Sequence, residues 1–269
     1  MEELDVKPFK HYPEVFNEEK LPSAYVENTF QQFTTAQNYS LKTASCSETL
    51  ILIKTARKNS KRRLKMRKEL KKLKDVNHYF MLGTSENGSN TNKILAESDQ
   101  NNDIIIGNFI DDYYNLTVKS LSALQWSIDV CTETKSIVLC DDDVHFNDPK
   151  VIRSLASKMF RDHNFFFSTT YSDIPLATIA CLAMMKSSSI PVMRHGKWGV
   201  SREEYNRTTY PAYCIGPAIG FTRQAAKVIL ETAKVTKSYK IDDVFISGIL
   251  RYKARLPIIR YKAVTFTRT

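Results

Sequence analysis

Short apolar runs alternate with longer helical patterns along the first half of this 269-residue chain. Apolar runs of strand length, rich in β-branched and aromatic residues, occur at 49–54, 78–83, 103–109 and 136–140. Between them, residues 57–74 and 115–131 carry apolar side chains at helical spacing. This alternation is typical of an α/β sandwich with a mostly parallel central sheet flanked by helices. In such sheets, ligands bind beyond the carboxyl ends of the strands.

Three consecutive aspartates, Asp141, Asp142 and Asp143, follow directly after the strand predicted at 136–140. Adjacent carboxylates repel each other and resist leaving water, so the cluster needs a counter-charge, which the neighbouring sequence does not supply. Mg²⁺ or Mn²⁺ would supply it and would keep coordination positions open for phosphate oxygens. A surface turn with exposed aspartates is the alternative that the residues alone leave open.

A second acidic pair, Asp242 and Asp243, lies in the sequence YKIDDVFISGI at 239–249. Taken alone, the pair is equally well explained as the cap of a helix N-terminus. Two acidic sites in one α/β domain are compatible with a metal site and a general base.

The net charge of +10 comes from one segment. Residues 56–74 contain eleven Lys or Arg and one Glu, which accounts for the whole excess. Such a segment can bind the phosphates of a nucleic acid, but it is more often a solvated helix face. Because no aromatic-rich surface accompanies the charge, nucleic-acid binding is the least favoured function, and no nucleic-acid partner is expected.

The cysteines and the glycosylation sequons leave the cellular compartment open. The five cysteines show neither a CxxC pair nor a zinc-site spacing, and they fit either reduced thiols or one or two disulfides plus a free thiol: Cys46, Cys131, Cys140, Cys181 and Cys214. Four sequons are compatible with a glycosylated luminal protein: Asn38, Asn87, Asn115 and Asn206. For Asn115, which precedes a predicted helix, capping is the favoured role.

The chain is predicted to form one domain after an irregular beginning. Prolines interrupt any periodicity in residues 1–45, which we interpret as an irregular lead-in. Residues 46–269 suit a single domain of ordinary composition. No segment has the apolar length of a signal peptide or a membrane span, so a membrane location would require an anchor outside this sequence.

Five motifs then occur in a characteristic order: RLKMR (63–67), LAESDQNNDIIIGNFIDDYYNLTVKSLSALQW (95–126), DDDVHFN (141–147), KWGVSREEYNRTTYPAYCIGPAIGF (197–221) and DDVFISG (242–248). With them the chain resembles the β1,3-galactosyltransferase family, the β1,3-glycosyltransferases of glycosyltransferase family 31 that include the N-acetylglucosaminyl and Fringe enzymes. The resemblance implies the GT-A-type nucleotide-sugar transferase sandwich. It also implies transfer of a sugar from a UDP donor to a glycan of a glycoprotein or glycolipid, with inversion at the anomeric carbon.

The resemblance also implies roles for the two acidic clusters. Asp143 would be the direct ligand of Mn²⁺ or Mg²⁺, while Asp141 and Asp142 would contact the nucleoside or coordinate through water. Asp243 would be the general base that takes the proton of the acceptor hydroxyl, with Asp242 orienting it.

Basic and aromatic residues complete the implied site. Arg63 and Arg67 would be donor-side residues, because guanidinium groups pair with phosphate oxygens in a fork geometry. We expect the other nine cations of residues 56–74 to form a solvated face. The candidate acceptor or sugar-binding residues are Lys197, Trp198, Tyr213 and Gly216, with a core position as the alternative for each aromatic.

Three positions depart from the family pattern. Glu69 and Leu70 stand where the family has Thr-Trp, and Ile219 stands where it has Tyr. The donor pocket is therefore expected to differ, and an inactive glycan- or UDP-binding relative is the alternative function. Trp126, inside the predicted helix 115–131, is interpreted as a core residue. Because the family is membrane-anchored in the Golgi, the resemblance also implies a luminal Golgi location.

Overall fold

The structure is a computed structural model that describes residues 40–266 apart from 42, 86–87, 89, 168–176 and 187–189. Most of the predicted lead-in and the sequons Asn38 and Asn87 lie outside the described residues. The last part of the lead-in packs onto the domain. The backbone N–H of Ser40 donates to the Ile106 carbonyl at 3.2 Å, and Leu41 packs against the core. The predicted boundary at residue 46 stays a prediction.

From residue 49 to residue 141 the elements follow one another in the alternating order that the sequence indicated, whereas the strands from 179 to 222 follow one another with no helix between them in the described residues. The strands are β1 (Thr49–Lys54), β2 (Asn77–Thr84), β3 (Ile104–Ile110), β4 (Ser136–Asp141), β5 (Val144–Phe146), β6 (Ile179–Cys181), β7 (Met184–Lys186), β8 (Ile190–Pro191), β9 (Thr209–Tyr210), β10 (Tyr213–Ile215), β11 (Ala218–Thr222), β12 (Ile258–Arg260) and β13 (Val264–Phe266). The helices are α1 (Ser60–Leu70), α2 (Thr91–Asn101), α3 (Leu116–Val130), α4 (Pro149–Arg153), α5 (Leu155–Phe167), α6 (Arg223–Lys234) and α7 (Arg251–Lys253). A 3₁₀ turn, Tyr113–Asn115, precedes α3, and a π-helical segment, Val244–Leu250, precedes α7.

A seven-stranded sheet in the order β12-β6-β11-β4-β1-β2-β3 forms the centre of the molecule. The pairs β1–β2, β1–β4, β2–β3 and β6–β12 are parallel. Strand β11 runs antiparallel to both of its neighbours. The predicted α/β sandwich with a mostly parallel sheet flanked by helices is therefore confirmed.

The predicted strands correspond to β1–β4, with bounds that agree within about one residue. The helix predicted at 115–131 is α3, whereas the helix predicted at 57–74 is shorter and ends at Leu70. It stops there because the chain turns: the N–H of Lys72 bonds to Glu69, and Asp75 adopts a left-handed φ of 66°.

The sheet has a buried core on each face. Successive residues of β1 point to opposite faces, so Leu50 packs in the same core as Trp126, while Ile51 packs with Phe80 in the other. A sheet covered on both faces explains why β1 is continuously apolar up to its last residue. Trp126 is fully buried, as predicted, and its indole Nε1 donates to the Leu41 carbonyl at 2.8 Å.

The cysteine alternatives resolve into two disulfides and one thiol. Cys46 is bonded to Cys131, which joins the chain before β1 to the end of α3. Cys181 is bonded to Cys214, which joins β6 to β10. Cys140 is a buried free thiol in β4.

In the part of the chain that the structure describes, no helix combines the length and the apolar character needed to cross a membrane.

Candidate active site

The side chain of Lys54, the last residue of β1, connects the two acidic clusters. Lys54 pairs in register with Asp141, the last residue of the parallel strand β4. Its Nζ lies 3.0 Å from Asp141 Oδ1 and 2.7 Å from Asp242 Oδ2, and the side chain is only 6% exposed. Burial opposes the charged form, but the two carboxylates outweigh it and raise the pKa of Lys54 above its ordinary value. A distant strand thus supplies the counter-charge that the neighbouring sequence lacks.

Asp142 and Asp143 differ in their surroundings. Asp142 is buried, and its carboxylate accepts hydrogen bonds from Thr55 Oγ1 at 2.6 Å, Asn59 Nδ2 at 2.8 Å and Arg62 Nη1 at 3.0 Å. Asp143 is partly exposed and lies 3.5 Å from the same Arg62 nitrogen. Asp142 is therefore an anchor inside the protein, and Asp143 presents its carboxylate to the site.

Asp242 and Asp243 lie at the start of the π-helical segment. Asp242 accepts hydrogen bonds from Ser120 Oγ at 2.8 Å and from Lys54. Burial works against its ionised form, but Lys54 and Ser120 outweigh burial and lower the pKa of Asp242. Asp243 Oδ2 accepts from the N–H of Gly216 at 2.9 Å, and Oδ1 accepts from the N–H of Val244 at 2.7 Å.

The pKa values of these two neighbouring carboxyl groups are shifted in opposite directions. Burial, together with the charge of Asp242, raises the pKa of Asp243 to about 6. A group with a pKa near the working pH accepts a proton and releases it again readily, which is the property that a general base needs. Tyr213 lies near Asp243, and burial followed by that charge raises the pKa of Tyr213 to about 12.

Local contacts explain why the acidic pair sits where it does. Thr117 Oγ1 in α3 donates to the carbonyl of Tyr239 at 2.6 Å, which fixes the chain just before the pair. Ser247 Oγ donates to the carbonyl of Asp243 at 2.7 Å and accepts from the N–H of Cys214 at 2.9 Å. Strand β10 is thereby held along the π-helical segment, with the Gly216 N–H beside Asp243.

A second buried ion pair joins the strand ends to α3. Lys119 Nζ lies 2.7 Å from Asp111 Oδ1 and also donates to the Thr55 carbonyl at 2.7 Å. The N–H of Gly83 donates to Asp111 Oδ2 at 3.0 Å. These contacts hold β1, β2 and the chain after β3 against one helix. Sequence reasoning assigned no role to Asp111 or Lys119, although both occur in the motif at 95–126.

Arg63 and Arg67 are engaged in pairs with acidic groups. Arg63 is 1% exposed; its Nε and Nη2 lie 2.9 Å and 2.6 Å from the Glu97 carboxylate, and Nη1 donates to the Ala56 carbonyl. Arg67 donates to both oxygens of Asp103, at 2.7 Å and 2.8 Å, and also pairs with Glu97. These contacts dock α1 on α2 and β3. Their placement favours a structural role over the predicted contact with donor phosphates, because no face of Arg63 is open to a ligand.

The expectation of a solvated face for the other nine cations is wrong for two of them. Arg57 donates to the Gly83 carbonyl and to Thr91 Oγ1, both at 2.9 Å. Arg62 donates to Asp142, and its side chain faces the aspartate cluster. The helical period of α1 places Arg62 on the helix face that is turned toward the end of β4. Because the segment is rich in cations throughout, its composition did not distinguish this position.

Lys197 and Trp198 come together with Tyr113, a residue that sequence reasoning missed. The Lys197 ammonium lies 4.7 Å from the centre of the Tyr113 ring and 4.8 Å from that of Trp198. The two rings are 5.8 Å apart, and both residues are exposed. Burial and then the charges of Asp242, Asp243 and Asp141 raise the pKa of Tyr113, so this cluster lies on the acidic site. The tyrosines of DDYYN were its only signal.

Two of the three family departures lie in the protein core. Leu70 and Ile219 are both buried and belong to the two hydrophobic cores. Glu69 pairs with Lys72 on the surface of α1. The departures at Leu70 and Ile219 therefore concern packing.

Asn115 occupies the cap position of α3, but its side chain makes no capping hydrogen bond. Its Nδ2 donates instead to the Ile110 carbonyl at 3.0 Å. The favoured capping role is therefore wrong. Pro149 is the first residue of α4, and Asp148 caps that helix.

The chemistry of the site fits a divalent cation that shares its ligands with a substrate. Within the described residues, no three Asp, Glu, His or Cys side chains lie close enough to hold a metal ion alone. However, the partly exposed carboxylates Asp141 and Asp143 are hard oxygen donors. One or two carboxylates plus phosphates and water is the ordinary environment of Mg²⁺ in nucleotide sites.

Comparison with known proteins identifies the family of this chain. The profile of the family described as Galactosyltransferase matches residues 56–262. The chain therefore belongs to the Galactosyltransferase family, a family of glycosyltransferases, which confirms the predicted family and fits the GT-A-type sandwich expected with it.

Individual relatives share little more than a quarter of their aligned residues with this chain. Human β-1,3-galactosyltransferase 5 is 28% identical over 174 residues, which cover 64% of this chain and 51% of the relative. Mouse β-1,3-galactosyltransferase 1 is 27% identical over 172 residues, which cover 64% of this chain and 48% of the relative. The chain spans about half the length of the curated relatives it matches. The crystal structure of S. aureus TarS 1–349 with UDP-GlcNAc superposes with a TM-score of 0.43 and 12% identity, over 82% of this chain and 59% of TarS.

The network around Arg63 yields a stability prediction. We expect Arg63→Met to lower the free energy of unfolding by about 3 kcal/mol, because removal of one partner leaves a buried carboxylate without full compensation. The double variant Arg63→Met/Glu97→Gln should recover part of this loss. Urea denaturation of the two single variants and the double variant measures the effect. Unchanged stability of Arg63→Met together with weaker UDP binding would restore the donor-side role.

Proposed function

We propose that the protein is a metal-dependent, inverting β1,3-glycosyltransferase that moves a sugar from a UDP donor to a hydroxyl of a glycan on a glycoprotein or glycolipid. The observation that carries this proposal is Asp243: its pKa is raised to about 6, and it directly follows Asp242, which Lys54 links to Asp141 at the end of β4. Membership of the Galactosyltransferase family supports the reaction class. A galactosyl donor is supported by the names of the relatives.

Asp243 acts as the general base. Inversion requires the acceptor hydroxyl to attack the face of the sugar opposite UDP, and a base must take its proton as the new bond forms. Each oxygen of Asp243 accepts one backbone N–H, from Gly216 or Val244, which fixes the orientation of the carboxylate. Each oxygen keeps a second lone pair with which it can accept the proton of the hydroxyl. Asp242 stays ionised beside it, and this charge makes Asp243 more basic.

The aspartates at the end of β4 form the donor side. Among the described residues, two cations, Lys54 and Arg62, pair with this cluster of five carboxylates. The five are Asp141, Asp142, Asp143, Asp242 and Asp243. Such an excess of negative charge would repel a diphosphate. Asp143, with Asp141, would hold Mn²⁺ or Mg²⁺. When bound, the cation stabilises the negative charge that develops on the UDP leaving group. Asp142 contributes from inside the protein, because it holds Arg62 at the cluster.

The cluster of Tyr113, Trp198 and Lys197 forms the acceptor side. Exposed aromatic rings provide flat apolar surfaces for the CH face of a sugar, and the ammonium can donate to its hydroxyl groups. Tyr213 and Gly216 border Asp243, so they are placed to contact the reacting hydroxyl group.

The two disulfides support a luminal location. Disulfides persist in oxidising compartments, such as the lumen of the secretory pathway. We propose the Golgi lumen, on the basis of the family resemblance.

An inactive UDP-binding relative is less well supported, because the departures at Leu70 and Ile219 lie in the core. Nucleic-acid binding is likewise disfavoured, because three of the four arginines in the basic segment, Arg57, Arg63 and Arg67, have partners inside the protein.

The metal proposal predicts a specific loss in one variant. With a panel of UDP-Gal, UDP-GalNAc and UDP-GlcNAc and glycan acceptors, we expect UDP release to require Mn²⁺ or Mg²⁺. Asp143→Ala should lower that rate at least about 100-fold, because the developing charge on UDP loses its stabilisation. Its melting temperature should stay close to that of the wild type, because Asp143 is partly exposed.

The control is Asp99→Ala, which removes the same charge from an exposed position of α2 and should leave the rate unchanged. Near-normal activity of Asp143→Ala would contradict the metal assignment. UDP binding without turnover for any donor would favour the inactive relative.

The base assignment predicts a separation of binding from chemistry. Asp243→Asn should lower transfer by about 100- to 10,000-fold, because an amide does not accept the proton of the hydroxyl. UDP affinity, measured by calorimetry, should stay within about twofold of the wild type. A modest loss of stability is expected as well, because the amide nitrogen leaves one backbone N–H, of Gly216 or Val244, without an acceptor. A parallel loss of UDP affinity would instead assign Asp243 to the donor site.

A further inference from the structure

We propose that Arg62 binds the diphosphate of the nucleotide donor, the role that the family resemblance implies for Arg63 and Arg67. This inference rests on the proposed function, and it identifies a donor-binding residue in that site. It follows from the way in which the four arginines of residues 56–74 are engaged.

Arg62 is fixed at one end of its guanidinium group. Its Nη1 lies 3.0 Å from Asp142 Oδ1 and 3.5 Å from Asp143 Oδ2. The Asp142 side chain is itself only 6% exposed and is held by Thr55 and Asn59. The anchor is therefore rigid, and Arg62 is placed at the end of β4 before any ligand binds.

The rest of the Arg62 guanidinium is open. A guanidinium carries five N–H donors in one plane, and the contacts to Asp142 and Asp143 use a single nitrogen. Among the described residues, Nε and Nη2 of Arg62 donate to no protein group, and 41% of the side chain is exposed. This half of the guanidinium group can offer two parallel N–H groups to a phosphate, the fork geometry in which arginine recognises such groups.

The other three arginines lack this combination. Arg63 is buried and directs its nitrogens to Glu97 and Ala56. Arg67 donates to Asp103 and Glu97. Both Nη atoms of Arg57 donate to protein acceptors, at Gly83 and Thr91.

Charge supports the same conclusion. A diphosphate that approaches five carboxylates meets repulsion, which a cation fixed among them reduces. Arg62 provides a positive group that is held by one carboxylate and still has donors for a second anion. Lys54 lacks this property, because its ammonium is buried between two carboxylates.

The experiment compares UDP with uridine, which lacks the phosphates. Isothermal titration calorimetry in Mn²⁺ measures both ligands on the wild type, Arg62→Ala, Arg62→Lys and Lys65→Ala. Lys65 is an exposed cation on the same helix, and its replacement removes the same charge. We expect Arg62→Ala to weaken UDP by about 150-fold or more, which corresponds to the loss of two charge-assisted hydrogen bonds. Uridine affinity should stay within twofold, Arg62→Lys should be intermediate, and Lys65→Ala should change neither ligand more than twofold.

The alternative outcomes separate this inference from the proposed function. Equal losses for UDP and uridine in Arg62→Ala would mean that Arg62 only supports the pocket, and unchanged UDP affinity would mean that it does not bind the phosphates. Either result overturns the inference while wild-type UDP binding leaves the proposed function standing. A wild-type protein that binds UDP no better than uridine would overturn both.

Discussion

The buried ammonium group of Lys54 is the interaction on which the site depends. It joins the end of β1 to the end of β4 and to the start of the π-helical segment, through Asp141 and Asp242. Without it, the largely buried carboxylate of Asp242 would face the partly exposed carboxylate of Asp141 with no cation between them, and an uncompensated buried charge costs several kcal/mol. Since Lys54 and Asp242 are 188 residues apart in sequence, it is the tertiary fold that brings the two clusters together.

The same arrangement gives two neighbouring aspartates different properties. Asp242 has the Lys54 ammonium and the Ser120 hydroxyl as partners, and its pKa is lowered. Asp243 has two backbone N–H groups as partners and faces the charge of Asp242, so its pKa is raised. Pairs of carboxyl groups whose environments move their pKa values apart are a general way of assigning one group to proton transfer and the other to support. This asymmetry is the physical basis for placing the base at Asp243.

Much of the central sheet could be predicted from the sequence, because the burial of its central strands is nearly continuous. β1, β2 and β4 are buried on both faces of the sheet, so each reads as an apolar run bounded by polar residues. Helix α2 was not predicted, because Ile94 is its one buried residue and the apolar periodicity is therefore weak. Several of the later strands are only two or three residues long, too short to show a period.

The acidic residues of the site could be predicted from motifs along the chain, whereas the partners in its ion pairs could not. Asp143 and Asp243 follow patterns along the chain, whereas the Arg63–Glu97 pair joins residues 34 positions apart and the local sequence does not specify such a partner. Lys54 ends the apolar run TLILIK at 49–54. That position was a usable signal, because a charged side chain at the end of a buried strand needs partners. Arg62 had no comparable signal, since it stands among ten other cations.

The pH dependence of kcat/KM for the acceptor tests the central claim most directly, because it reports the pKa of the essential base in the free enzyme. Asp243 works only when it is deprotonated, and its pKa is raised from 3.8 to about 6. The account therefore predicts a rate that is constant above about pH 7 and falls tenfold for each pH unit below about pH 6. A profile that stays flat down to pH 5, or the same limb in Asp243→Asn, would contradict it.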